Sequence, residues 1–300
     1  MNTTLALSAL LLLVGTSRAA TGLAFLKIAA DAGSAGLGES TAGAWEDALS
    51  PLRNPATAPA DERWHLAFTR ADWIFESDYS ALAVQLPLGR WSLGADLRVL
   101  TIEDIEQRDS PDPEPEGYYR VDDLAYGLRL SAPLGKSLRA GAALRRVQEK
   151  INQEDSRGWV GDLGLRWERP GADPSRLLGV SLAVRNLGSS SEFVDESPDP
   201  PRTFSLGVER RGPLPLVGWT TSLQAEARQL QDEDTHLHLG VQTFPVGGLA
   251  LRGGWMTGYD ERGGTLGVGF VWRQMKLDYA WLPFRNALND SHRFTFSFAM

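Results

Sequence analysis

From Arg63 to the C-terminus, apolar and polar residues alternate with a period of two in segments of roughly 8–13 residues, about the length a tilted strand needs to cross a bilayer. Trp91, Leu93, Ala95, Leu97 and Val99 share one face, and Ser92, Gly94, Asp96 and Arg98 share the other, because successive strand side chains point to opposite sides. Leu124, Tyr126, Leu128 and Leu130 oppose Asp123, Gly127, Arg129 and Ser131 in the same way. Leu266, Val268, Phe270 and Trp272 oppose Thr265, Gly267 and Gly269, and the chain ends on Phe294, Phe296, Phe298 and Met300. The pattern predicts strands near 63–70, 79–88, 91–102, 122–132, 137–150, 156–168, 176–187, 202–211, 218–230, 235–244, 248–257, 263–272, 275–283 and 291–299.

The connections between these segments alternate in character. Pro87-Leu88-Gly89-Arg90, Pro133-Leu134-Gly135, Pro245-Val246-Gly247 and Arg273-Gln274 are compact, whereas Glu103–Asp123, Gly188–Pro201, Gln231–Asp234 and Gly258–Glu261 are mostly longer, and acidic. Short turns at one end and long loops at the other are the signature of an up-and-down barrel. The expected fold is therefore all-β, an antiparallel transmembrane β-barrel of about 14 strands. A soluble β-sandwich also alternates, but its strands are usually about 5–6 residues long and its outward faces are polar. Here the polar face is mostly Gly, Ala, Ser and Thr with some Arg and Asp, which suits a watery lumen. Trp91, Trp159, Trp167, Trp219, Trp255, Trp272 and Trp281 lie near strand ends, where aromatic girdles meet lipid headgroups.

Ahead of the barrel, residues 1–19 read as a signal peptide, with the apolar run Leu5–Val14 followed by small residues around a cut after Ala19. The domain plan is thus a leader at 1–19, an N-terminal segment at 20–62 and a barrel at 63–300. Composition narrows the possibilities further. With no Cys among 300 residues, disulfides, thiolate catalysis and Cys-ligated metals are excluded. A net charge of −8 argues against a nucleic-acid partner. Leu5–Val14 is too short to span a membrane as a helix, which needs about 20 apolar residues.

The N-terminal segment has a different grammar: Phe25-Leu26-Lys27-Ile28, then Ala35-Gly36-Leu37-Gly38, then Glu46-Asp47-Ala48, then Asn54-Pro55-Ala56. This order of motifs resembles the PorV/PorQ family of outer-membrane proteins, which is similar in turn to the FadL fatty-acid transporters, fourteen-stranded barrels with an N-terminal hatch. The closing run Asn289–Phe298 resembles the family's last strand. The resemblance implies a non-enzymatic accessory in protein export of the type IX kind. Its partners would be outer-membrane lipid and secreted cargo or secretion-machinery subunits. The alternative it leaves open is a FadL-like channel for hydrophobic small molecules, with an apolar pocket beside the plug and a lateral gap in the wall.

In physical terms the segment reads as a plug. Small residues let backbone thread a lumen, Gly36 and Gly38 permit turns, and Pro55 pushes Asn54 towards an extended conformation in which its side chain can satisfy nearby backbone. Asn54, Pro55 and Ala56 are therefore structural candidates rather than ligands. On the inferred lumen face stand Asp96, Arg98, Arg129, Arg139, Arg145, Arg166, Arg185, Glu209, Glu226, Arg228, Arg252, Lys276 and Arg293. Their interspersed signs point to a hydrogen-bonded filling rather than an ion-selective conduit.

Catalytic constellations are not found. His236-x-His238 places two imidazoles on one strand face without a third ligand at fixed spacing. Gly33–Gly38 lacks the strand, helix and Gly-Lys-Ser/Thr ending of a phosphate loop. Ser291 and His292 would point to opposite faces and cannot act as nucleophile and base. A barrel hydrolase is thus the third-ranked function, and no cofactor or metal is expected.

Overall fold

A computed structural model describes residues 22–43, 47–59, 61–108, 114–173, 175–191, 199–214, 218–286 and 288–300. The leader 1–19, Trp45-Glu46 and the centre of the acidic loop at 109–113 lie outside the described residues. The described residues form fourteen antiparallel strands: β1 (His65–Asp72), β2 (Asp78–Leu88), β3 (Trp91–Gln107), β4 (Gly117–Pro133), β5 (Leu138–Ile151), β6 (Glu154–Pro170), β7 (Leu177–Ser190), β8 (Thr203–Pro213), β9 (Thr220–Leu230), β10 (Thr235–Phe244), β11 (Leu249–Thr257), β12 (Gly264–Trp272), β13 (Met275–Leu282) and β14 (Ser291–Ala299). Each pairs with its sequence neighbours, and β1 pairs with β14 from His65↔Ala299 to Asp72↔His292, so the sheet closes. Closure leaves no unpaired edge and satisfies the backbone within the wall.

Strand boundaries depart from the sequence pattern mainly at the loop end. β3 and β4 extend past Ile102 and before Asp122, where Glu103, Asp104 and Glu106 replace apolar residues but ladder pairing continues to Gln107↔Gly117. A bulge between Ile102 and Ile105, with Asp104 at φ 56°, lets the ladder continue beyond the apolar belt. At the turn end, the β2–β3 and β12–β13 connections are two-residue turns carrying Gly89 at φ 60° and Arg273 at φ 56°.

The outward face is apolar. Leu66, Phe68, Leu97, Leu128, Leu163, Leu206, Leu239, Leu266, Phe270 and Phe296 are all exposed, with Leu128 62% accessible and Leu266 55%. A continuous apolar surface of this extent is not what a monomer in water carries. Trp91, Trp167, Trp219 and Trp272 stand towards the turn end, and Trp159 and Trp255 towards the loop end, so the belt is bounded on both sides.

The interior is a protein core rather than a water channel. Residues 22–43 and 47–58 run inside the wall and are almost wholly buried. They contribute Leu23, Phe25, Leu26, Ile28, Leu49 and Leu52 to an apolar cluster, packed against inward Ala67, Ala71, Tyr79, Ala81, Ala83, Leu100, Ala125, Val147 and Val160 of β1–β6. The Gly-rich inward face receives this inner segment.

Candidate functional site: the lumen and its mouth

Two glycine windows in the wall explain where the inner segment can lie. Gly141 of β5 and Gly164 of β6 are registered partners, and a side chain at either would collide with Asn54-Pro55-Ala56. Asn54 holds that turn: its Oδ1 accepts from the Ala56 amide at 3.0 Å, and its Nδ2 donates to the Leu165 and Leu182 carbonyls at 3.3 Å each. Asn54 itself is extended, with φ −148° and ψ 107°, ahead of Pro55. The second window is Gly240 of β10 and Gly254 of β11, again registered partners, which face Leu37 and Gly38. Gly38 has φ +63°, and a Cβ on it would lie 2.8 Å from the Leu239 carbonyl oxygen. Gly36, by contrast, is in the ordinary right-handed helical region. It is required not for a turn but for close approach, since its Cβ would lie 2.9 Å from the Gly267 Cα. Sequence reasoning missed the windows, although inward glycines on adjacent strands were their visible signal.

The lumen charges hold one another and the backbone of the inner segment. Asp96 accepts from Arg145 at 2.9 Å and Arg129 at 3.3 Å, and Arg145 also pairs with Asp162. Arg252 pairs with Asp278 at 2.7 Å, and Arg228 with Glu226 at 2.8 Å. Arg166 pairs with Glu209 at 2.5 Å and donates to the Ala42 carbonyl, while Arg129 donates to Ala48 O at 3.0 Å and Arg228 to Glu39 O at 2.7 Å. Arg293 donates to Ala29 O and Arg139 to Ala56 O. Glu226 accepts from both the amide and the hydroxyl of Thr41. Arg98 and Arg185 are also buried; Arg98 lies over the Phe25 ring at 6.0 Å, and Arg185 makes no ion pair among the described residues. Removing the Asp96 carboxylate would leave buried Arg129 without its ion pair and Arg145 with Asp162 alone, a loss of about 3–5 kcal/mol for a broken buried pair.

Outside the strands, the inner segment is tied electrostatically to both ends of the barrel. Burial alone would raise the Glu39 carboxyl, but Arg262 and Arg228 outweigh it and hold that group below its ordinary range. Asp47 behaves alike: burial opposes ionisation, and Lys276 with the Ser50 and Leu49 amides overcomes it. Lys27 is shifted up because its bonds to Asp232 at 2.7 Å and Glu233 at 2.9 Å outweigh its own desolvation.

The paired histidines are engaged by neighbouring groups. His236 stacks on Tyr259 at 3.9 Å, and His238 engages the Gly38 carbonyl at 2.6 Å and the Tyr259 hydroxyl at 3.2 Å. No group of three metal-ligating side chains occurs among the described residues. Ser291 is buried and donates to Asp72 O, whereas His292 lies on the other face against Tyr279.

Above the inner segment, at the loop end, a mouth cavity of about 950 Å³ has two unlike sides. Phe25, Ile28, Trp73, Ile74, Leu100 and Phe284 form an apolar side; Lys27, Asp232, Glu233, Tyr259, Asp260 and Glu261 form a polar one. A smaller vestibule of about 230 Å³ opens near the turn end beside His65, Gln242, Arg252 and Lys276. The inner segment lies between the two.

By sequence the chain matches no protein-family model and no curated protein. Its fold matches that of the toluene transporter TodX of Pseudomonas putida, with TM-score 0.61 and 14% identity over 89% of this chain and 96% of that one. The toluene transporter TbuX of Ralstonia pickettii gives TM-score 0.60 and 12% identity over 90% of this chain and 97% of that one. A TodX deletion mutant, described as a monoaromatic hydrocarbon channel, gives 0.61 and 13% over 90% and 97%. At these identities the likeness is one of fold: a closed, fourteen-stranded antiparallel barrel.

Proposed function

We propose that the protein is a non-enzymatic channel of the bacterial outer membrane that admits small apolar, uncharged solutes through its loop-end mouth. The observation that carries this reading is the mouth cavity, whose Phe25–Trp73–Leu100–Phe284 side offers an apolar seat of ligand size inside a barrel of the FadL-like type. The location is supported by the lipid-ready belt and its aromatic girdles, and the loop end then faces outward. The inner segment acts as the plug that separates mouth from vestibule.

The charge of the mouth sets the preference. Lys27 is already engaged by Asp232 and Glu233, and Asp260 and Glu261 add further negative charge. A carboxylate solute meets repulsion there, whereas a neutral hydrocarbon does not. Equilibrium binding to the purified protein is expected to favour toluene over a medium-chain fatty-acid anion by about tenfold or more. Ile74→Asp, which puts a charge on the apolar side, is expected to weaken toluene binding by at least about tenfold while the unheated protein keeps its compact electrophoretic mobility. Equal binding of the two solutes, or an Ile74→Asp protein that binds as the parent does, would count against this reading.

The protein-export reading rests on the N-terminal motif run. Co-purification of secreted cargo or secretion-machinery subunits through the loops, with no solute bound in the mouth, would favour it over the channel.

A further inference from the structure

We propose that an outward groove at the turn end of β6–β9 binds the phosphate headgroup of an anionic phospholipid. The inference rests on the membrane-barrel reading above and concerns a surface remote from the lumen. The groove encloses about 500 Å³ and is lined by Arg169, Arg176 and Arg210 together with Leu178, Leu214 and Leu223.

Register places the groups. Arg169 and Arg210 are both paired with Leu178, one on each side, so their backbones lie about 10 Å apart across three strands. Leu223 flanks Arg210 on the far side, and Arg176 rises from the β6–β7 turn, whose ends are joined by the Gly171 amide and the Arg176 carbonyl. Trp167 precedes Arg169 by one outward position on β6, and Trp219 stands just before β9. The arginines are therefore at the level where hydrocarbon gives way to headgroups, with Leu178 and Leu223 offering apolar surface to the first acyl methylenes.

The state of their charges favours an anionic ligand. Outward arginines near the loop end are neutralised by neighbours at 2.6 Å: Arg70 by Asp78, Arg120 by Asp122 and Arg157 by Asp155. At the turn end, Arg169 and Arg210 have no carboxylate partner among the described residues, and Arg176 reaches Asp173 only at 3.7 Å, with both side chains exposed. Guanidiniums gathered in one groove repel one another until an acceptor with several oxygens joins them, and a phosphate diester matches the planar fork of each. In the orientation proposed above, this rim meets the periplasmic leaflet, whose lipids supply that group.

The test is native mass spectrometry of the full chain in mild detergent, comparing the parent with the triple variant Arg169→Gln, Arg176→Gln, Arg210→Gln. Phosphatidylglycerol is titrated against phosphatidylcholine, and unheated electrophoretic mobility reports folding of both proteins. The parent is expected to retain phosphatidylglycerol at least about tenfold more tightly than phosphatidylcholine, and the variant to bind phosphatidylglycerol about a hundredfold more weakly. An unchanged affinity in the variant, or a parent without preference for the anionic lipid, would overturn the site. Displacement of the lipid by an equimolar amount of inorganic phosphate would reassign the groove to the free ion and overturn the lipid proposal. A parent that stays monomeric in water without detergent would instead overturn the membrane reading beneath it.

Discussion

Deleting residues 24–56 is expected to raise the conductance of the barrel in a planar bilayer by about tenfold or more, because a closed wall of fourteen strands leaves a lumen wider than its own side chains fill. The wall does not depend on the segment for its ladder, which closes through β1 and β14. What the deletion removes is the filling: the apolar cluster built on Phe25, Leu26, Leu49 and Leu52, and the carbonyls of Ala29, Glu39, Ala42 and Ala48 that accept from Arg293, Arg228, Arg166 and Arg129. Water entering the emptied lumen can solvate those guanidiniums, and the wall residues uncovered are mainly alanines. Insertion and compact mobility should therefore survive. A deletion protein that inserts but conducts as the parent does would contradict the assignment of this segment as the plug.

A finer test uses two neighbouring glycines. Gly254→Ala is expected to destabilise the folded barrel by about 1–3 kcal/mol, or to relieve the clash by displacing the plug and raising conductance. Its Cβ would collide with the backbone at Leu37-Gly38. Gly253→Ala, one residue earlier, points to the other face and meets only Val241 Cγ1 at 3.8 Å. It should change stability by less than about 0.5 kcal/mol and leave conductance alone. The comparison removes β-propensity as an explanation, since both changes add the same methyl to the same strand. Denaturant titration of the two variants, followed by gel mobility, reads the difference. Equal effects would mean that the wall and the plug do not touch at this window.

The strands were legible because a wall between lipid and lumen imposes one strict rule on every side chain, and the strands obey it within the apolar belt. The rule fails where lipid ends. Glu103, Asp104 and Glu106 continue β3 beyond the apolar belt, so alternation of hydrophobicity stops while the hydrogen-bonded ladder goes on. The lumen charges were legible as a set, but their pairings were not. Asp96 meets Arg129 and Arg145 because β3, β4 and β5 are held in a particular register, which periodicity within one strand does not contain. The partners of Arg166 and Arg293 depend on the path of residues 22–58, whose turns are set by contact with the wall rather than by local propensity. An apolar pocket beside the plug was implied by the resemblance, but the residues that form the mouth were not legible. Its apolar side gathers Phe25, Trp73, Leu100 and Phe284 from four distant segments, and no local pattern joins them.

Everything rests on the outward apolar face being covered by lipid. Fractionation of cells that express the full chain tests this most directly. The protein is expected in the outer-membrane pellet, released only by detergent, and to run as a band that migrates faster unheated than boiled. Recovery of the processed chain as a water-soluble monomer in the periplasmic fraction, with no detergent present, would contradict it.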